Sequence, residues 1–555
     1  MRRTKKTADI LAVFLLFAVL VTAFLARSPY SVPVPLRDSG IFLNIGSDIL
    51  HGKILYQQTW DNKQPLLYAI NALGLWLGGG SVWGVWGLEL VLLLMVFYGS
   101  YRVVRSALPP LATFMVIAMA FFAVFPFMGG NYSEEYSLVF QVGILALLFG
   151  MYLPKRGPRS RPAAAFLMGI LAGLVFCIKQ TYLDIPVSVL IFMLFLAWVE
   201  KERGSLWVRN ILLVGAGFVL VNIPVFVYFQ INGALRDYVI NAFLFNRYYS
   251  YQTILGRITS LLEMIKFVAA QPFFFCVVSL WLGIMILLII KARQAYTHAL
   301  DQFSPRRWTS LFTPANFENL RVRCAQVDWQ HAGPATLLFL GLLDFPIFFL
   351  TISLSGKLWT HYYIPFFMGI FLLLAGSLAY LYRVIGTLSR KMLLNSLLVA
   401  ALVIGAFPSL HQVASNLITP SGDDARSRTA AYFKSATKPG DTILVWGWES
   451  GIYFMAQRQS PTRFALPFAL YVNTPYLDEF TAILLKEVQA RPPAFIADLR
   501  DPGMPFIDGR PAATCLSGNQ MTNQGMVDFL AYICAHYEED RSFDTINIYK
   551  LRVTQ

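Results

Sequence analysis

The chain is 555 residues long, 56% hydrophobic, 15% aromatic and 14% charged, with a formal net charge of +14. Soluble domains carry about 25% charged residues, and here apolar runs of about 18 or more residues recur, which excludes an ordinary soluble globule and identifies a polytopic α-helical membrane protein. The positive balance does not mark a nucleic-acid partner, because the basic residues fall between apolar runs, where they set topology.

The N-terminal MRRTKKTADILAVFLLFAVLVTAFLA has the charged and apolar parts of a signal peptide but no convincing cleavage site before Arg27, so it reads as a first membrane span, Ile10 to Ala26. A polar segment follows at 37–67, RDSGIFLNIGSDILHGKILYQQTWDNKQPLL, and must lie at one membrane face. Pro65–Gly78 is apolar but only 14 residues long, which suits a re-entrant or interfacial helix rather than a crossing. Ten further spans are expected, at about 82–101, 111–128, 136–153, 163–180, 183–199, 210–229, 265–290, 334–353, 362–382 and 392–410, making eleven.

With Pro65–Gly78 kept on one side, 22 basic residues gather at the N-terminus and in alternate loops, against eight (Arg27, Arg37, Lys53, Lys63, Arg236, Arg247, Arg257 and Lys357) in the opposite loops. The positive-inside rule then places the N-terminus in the cytoplasm and the polar segment outside the plasma (inner) membrane. An odd span count exports the tail too, to the periplasmic or extracellular side. Residues 1–410 are therefore read as the transmembrane domain, with 27–81 as its first exported loop. Residues 411–555 read as a small α/β domain: DTILVW (441–446), AFIADL (494–499) and 545–551 as strands, and Pro475–Gln489 as a helix. The basic loop 291–333 reads as cytoplasmic interfacial helices. Cys177 and Cys276 sit in apolar spans and Cys324 in that basic loop, which leaves Cys515 and Cys534 as a candidate disulfide in an exported tail.

The exported loops collect the polar residues that could carry chemistry: Arg37 and Asp38; Trp60, Asp61 and Lys63; Tyr132, Glu134 and Glu135; Lys179 and Gln180; Arg247; His361 and Tyr362. Carboxylates and cations meeting at one membrane face suit a substrate with an anionic head and a lipid tail. A sugar linked through phosphate to a polyprenol is such a substrate. Its transfer needs a carboxylate to deprotonate the acceptor hydroxyl and cations to neutralise the departing phosphate. Trp60, Tyr132 and Tyr362 could hold sugar faces, with Arg37, Asp61 and Gln180 as polar partners.

The motifs RDSGIF, WDNKQPLLY, NYSEEY, KQT at a span end and HYYIP at a span start resemble glycosyltransferase family 39, the group of protein O-mannosyltransferases and lipid A aminoarabinose transferases, over most of residues 8–410. The resemblance implies the GT-C fold, Asp38 as catalytic base and a second acidic position at Glu134 or Glu135. It makes Lys63, Lys179 and His361 candidates for the donor phosphate, joined by Arg247. The expected activity is inverting transfer of a monosaccharide from a polyprenyl-phosphate donor to a lipid, glycan or protein acceptor of the cell envelope, among membrane lipids. A divalent cation held by Asp38 with Glu134 or Glu135 is a further candidate.

Each residue has a plainer reading. Asp38 could cap the amphipathic run after it, Asp61 could serve a turn, and Glu134 and Glu135 could be helix-start carboxylates. Lys179 could snorkel, and Lys63 and His361 could belong to the interfacial aromatic belt. Asp344, inside a span, is costly and calls for a neighbour. Gly78-Gly79-Gly80 is a turn rather than a phosphate loop. A flippase for a lipid-linked sugar needs no base and tends to show repeats and midplane charge, neither of which is read here. A non-catalytic assembly protein leaves the charge pattern of the first loop without a purpose.

Overall fold

The computed structural model describes residues 2–154, 160–201, 204–271, 282, 283, 286, 314–327, 329, 333–357, 359–385, 387–419, 422, 424–501, 504, 505, 507 and 523–552. In chain order its membrane region holds α1 (Arg2–Leu25), α2 (Arg37–Leu50), α3 (Pro65–Leu77), α4 (Val82–Val104), α5 (Pro110–Val124), α6 (Ser133–Leu147), α7 (Ser160–Phe176), α8 (Asp184–Val199) and α9 (Gly204–Ile231). Short helices α10 (Leu235–Val239) and α11 (Phe245–Tyr249) precede α12 (Ile254–Ala269), α13 (Pro314–Ala325), α14 (Pro334–Ser353), α15 (Phe366–Val384) and α16 (Leu388–Ile418).

Eight helical stretches among the described residues are long and apolar enough to cross a membrane, and α3, α7 and α8 are shorter apolar helices. The protein is an integral, multi-pass α-helical membrane protein. At 1.5 Å per residue the 13 residues of α3 reach only about 20 Å, short of a hydrocarbon core of about 30 Å. Most of the span expected at 265–290 lies outside the described residues, as does much of the 291–333 loop.

The bundle is built around the Thr360–Val384 stretch, 89% of whose apolar window is buried, while Leu212 and Ile223 of α9 and Ile404 and Phe407 of α16 face outward as lipid-facing residues do. Helices α7 and α9 cross at contact distance. A Cβ on Gly169 would lie 2.1 Å from the Val214 carbonyl oxygen, and one on Gly217 2.2 Å from that of Phe166. Small residues at a crossing let apolar helices pack closely where burial from water offers no drive.

The tail begins beyond Ile418, since α16 continues past the expected boundary at 410. It comprises α17 (Ala425–Ala436), β1 (Ile443–Trp446), α18 (Gly451–Ala456), α19 (Leu477–Ala490), β2 (Phe495–Asp498), α20 (Gln524–His536), β3 (Tyr537–Phe543) and β4 (Ile546–Leu551). The sheet order is β1-β2-β4-β3, with β1 and β2 parallel and the rest antiparallel. The three strands and the helix read from sequence are β1, β2, β4 and α19. Strand β3, YEEDRSF, escapes that reading because it is an edge strand whose side chains are mostly solvent-facing. Cys534 is buried and disulfide-bonded, whereas Cys515 and Cys276 lie outside the described residues.

The tail shares a core with the first inter-span segment: Ile41, Phe42, Trp60 and Tyr68 pack in one cluster with Leu444, Trp446 and Phe464. The Trp60 amide donates to the Arg463 carbonyl at 2.9 Å. Helix α2 touches the start of α18 backbone to backbone, so that a Cβ on Gly40 would lie 2.8 Å from the Gly451 Cα. Gly40→Val is therefore expected to cost about 1–3 kcal/mol as an overpacked contact and to lower the thermal unfolding midpoint of detergent-solubilised protein. Gly87→Ala, where nothing lies within 4 Å of the new Cβ, is the control and should leave the midpoint in place.

Candidate active site

Helix α2 carries Asp38 in its first turn. The N-cap is Leu36, with no side-chain cap bond, so Asp38 does not cap the helix. The register of α2 is held from beside it by Asn131, in the left-handed region at φ +65°, which Asn tolerates better than most residues. The Asn131 side-chain amide donates to Ser39 Oγ at 3.0 Å and to Asn71 Oδ1 at 2.9 Å, its oxygen accepts from Tyr136 at 2.8 Å, and its backbone amide donates to Glu89 Oε2 at 2.7 Å. One asparagine thus ties α2, α3, α4 and α6 together next to Asp38.

A cavity of about 720 Å³ opens between the inter-span segments and the tail. The bundle side contributes Arg37, Asp38, Asp61, Lys63, Tyr132, Lys179, Gln180, His361 and Tyr362, while Asn246, Tyr249, Lys357 and Trp359 line a second side. The tail closes it with Trp448, Leu466 and Phe468. Asp38 makes no hydrogen bond to a protein group among the described residues, its side chain is 25% exposed, and its Oδ2 lies 3.7 Å from His361 Nε2. His361 is also 3.9 Å from Glu134 Oε1 and packs against Tyr132, the two rings tilted at 41° with centroids 4.9 Å apart.

The two lysines are set differently. Lys179 Nζ donates to Glu134 Oε1 at 3.1 Å and to Tyr182 OH at 2.8 Å, and lies 3.6 Å from the centre of the Tyr362 ring. Burial lowers its pKa, partly offset by Glu134. Lys63 Nζ is 3.7 Å from Asp61 Oδ2; burial opposes its charge, but Asp61, then Asp38 and Glu134, lift its pKa above that of an ordinary lysine. Asp61 is in turn fixed by the Asn62 amide at 2.6 Å and Tyr68 at 2.7 Å. Burial raises the Tyr182 pKa, and Glu134 adds to the effect, which keeps this hydroxyl the donor in its short bond to Glu134 Oε1.

Glu134 and Glu135 are both buried and engaged. Glu134 Oε2 accepts from Ser133 at 2.9 Å, and Glu135 accepts from the amides of Gly130 at 3.2 Å and Tyr132 at 2.8 Å, in a capping box, and contacts Glu89. Glu135 therefore stands behind the wall of the cavity, and of the two glutamates it is Glu134 that reaches Lys179 and His361. With these oxygens occupied, Asp38 is not paired with an open second carboxylate, so the expected two-carboxylate metal site does not fit this arrangement. Among the described residues no group of three or more His, Cys, Asp or Glu side chains is placed so that it could hold a metal ion.

Four sequence candidates stand outside the cavity lining: Glu134 and Glu135, already placed, and Trp60 and Arg247. Trp60 is 1% exposed, donates from Nε1 to Asn241 Oδ1 at 2.8 Å, and packs on Phe245, so its face is sealed in the core. Arg247 is exposed on α11 and does not line the cavity. Gln180 lines it but gives its side-chain amide to the Ala242 carbonyl at 3.0 Å. Arg37 lies at the rim, 3.5 Å from Glu449. The sequence reading missed Trp448 and Phe468, which come from the tail, and Glu89, a lone acid within a span. An acidic residue in an apolar run was the available signal for Glu89; only the folded tail reveals the other two.

No protein-family model and no curated protein sequence matches the chain. Among solved structures it is similar to ArnT from Cupriavidus metallidurans bound to undecaprenyl phosphate, at 15% identity, with a TM-score of 0.58 over 97% of each chain. The apo state of the same ArnT superposes with a TM-score of 0.55 at 13% identity, again over 97% of both chains. The whole chain, tail included, has the ArnT-like fold.

Proposed function

We propose that the protein is a membrane glycosyltransferase that moves a monosaccharide from a polyprenyl-phosphate carrier to a hydroxyl acceptor on the exported face, with inversion. The observation that carries this reading is a carboxylate without a protein hydrogen-bond donor, Asp38, facing the same cavity as Lys63, Lys179 and His361. That an ArnT of the same fold binds undecaprenyl phosphate supports the choice of donor, and the 22-to-eight asymmetry of basic residues supports the exported side.

In this reading Asp38 accepts the proton of the acceptor hydroxyl as its oxygen attacks the sugar C1. The C1–oxygen bond to phosphate breaks on the opposite face, and the polyprenyl phosphate leaves with the electron pair. Lys63 and Lys179 supply charge-assisted hydrogen bonds to the departing phosphate. Lys63 is fitted to this role by Asp61, which preserves its charge in a buried place. Glu134 acts through Lys179 and His361, as a positioning residue. Tyr132 and Tyr362 flank the sugar. A transporter needs cations and aromatics but no base, and Asp38 would then be without a task.

The test is transfer by purified protein from a panel of polyprenyl-phosphate sugars. Asp38→Asn should lower kcat by about 10²-fold or more while donor KM changes little; unchanged turnover removes Asp38 from the chemistry. Lys63→Met and Lys179→Met should each weaken donor binding by about 10- to 100-fold, from the roughly 1.5–3 kcal/mol of a hydrogen bond to a charged group, read as a raised donor KM. Arg247→Ala should change donor KM less than either lysine variant.

A further inference from the structure

A second polar site lies inside the bundle, apart from the cavity. Gln141 of α6, Asp184 at the start of α8, Ser188 one turn on and Asp344 at the middle of α14 are all buried, with no more than 1% of each exposed. Gln141 Nε2 donates to Asp184 Oδ1 at 2.8 Å, and Ser188 Oγ lies 3.2 Å from Asp344 Oδ1. The remaining oxygens, Gln141 Oε1, Asp184 Oδ2 and Asp344 Oδ2, have no hydrogen-bond partner among the described residues. No ion pair with a basic side chain reaches either carboxyl among those residues.

Three buried acceptor oxygens on three helices, two of them on carboxyls that repel each other and none met by a donor among the described residues, call for a positive guest, because an uncompensated charge at membrane depth is costly. A proton on Asp184 would satisfy Asp184 Oδ2 and Gln141 Oε1 together, as an acid–amide pair, but it leaves Asp344 Oδ2 unpaired. A single cation lodged between the three side chains would compensate both carboxylates. An all-oxygen set suits a hard ion, and two carboxylates match a divalent one.

We infer that Gln141, Asp184 and Asp344 bind a hard divalent cation of the Ca²⁺ or Mg²⁺ class between α6, α8 and α14. The site is independent of the transfer reaction, but Gln141 Nε2 also donates to the Tyr182 carbonyl at 3.0 Å, so the ion would brace the turn that carries Lys179 and Tyr182.

The test uses full-length protein in detergent, stripped with chelator and titrated with CaCl₂ or MgCl₂ against ionic-strength-matched KCl. The unfolding midpoint should rise saturably by a few degrees, on the order expected for a ligand bound only by the folded state. Metal analysis after desalting should find one ion per chain in the wild type and in Asp38→Asn, and none in Asp344→Asn or Gln141→Met. Three results overturn the proposal: no ion retained by the wild type, retention by Asp344→Asn, or a midpoint that responds to pH alone, which would assign the site to protons. Should Asp344→Asn fail to fold, Gln141→Met and the wild-type stoichiometry still decide.

Discussion

The buried pairing of Lys179 with Glu134 fixes the chemical character of the cavity. Glu134 is 1% exposed and the two groups meet at 3.1 Å. Taking two charges out of water costs several kcal/mol per ion, and their attraction offsets this only where the remaining hydrogen-bonding capacity is also met. Here Tyr182 and Ser133 meet it for the carboxylate, and Tyr182 and the Tyr362 face do so for the ammonium. Of the two carboxylates that line the cavity, Asp61 is held by Asn62 and Tyr68, while Asp38 accepts no hydrogen bond from a protein group among the described residues. The pairing of Lys179 with Glu134 also ties α6 to the turn between α7 and α8, across the wall of the cavity.

Lysines 63 and 179 occupy similar depths but answer to different neighbours. Lys63 keeps its charge against burial because Asp61 stands 3.7 Å away and Asp38 and Glu134 add their fields. Lys179 has only Glu134 as a close counter-ion, and Lys63 itself repels it. Around the cavity the cations Arg37, Lys63, Lys179 and Lys357, with His361 when protonated, outnumber the carboxylates Asp38, Asp61 and Glu134. In the proposed transferase an anionic head group would meet donors set in place beforehand, the arrangement that favours a developing charge over a resting one.

Much of this was legible in the sequence, and the parts that were not share a cause. Asp38, Asp61, Lys63, Tyr132, Lys179, Gln180, His361 and Tyr362 lie far apart in the chain and line one cavity, because polar residues at the ends of apolar runs have only one face at which to gather. The buried strands β1 and β2 announced themselves as short apolar runs. Trp60 misled because a tryptophan in a polar loop reads the same whether its ring faces a ligand or, as here, Asn241 and Phe245. Arg247 misled because α11 turns it outward. Asp344 was visible as a costly residue in need of a neighbour, but Gln141 and Asp184 come from spans whose crossing no local pattern specifies.

The tail is part of the cavity's enclosure. Water competes with any acceptor hydroxyl for an activated sugar, and a site that transfers rather than hydrolyses must limit its access. The bundle and its inter-span segments supply the floor and sides, while Trp448, Leu466 and Phe468 supply the cover. That cover is registered on the floor by the glycine contact of α2 with α18, by the Trp60 amide on the Arg463 carbonyl, and by Glu449 between Arg37 and Arg426. Helix α2 is common to both sides: its first turn presents Asp38 to the cavity and its next residues bear the tail. A shift of the tail would thus move Asp38 as well as the cover, so enclosure and the position of Asp38 are set through one helix.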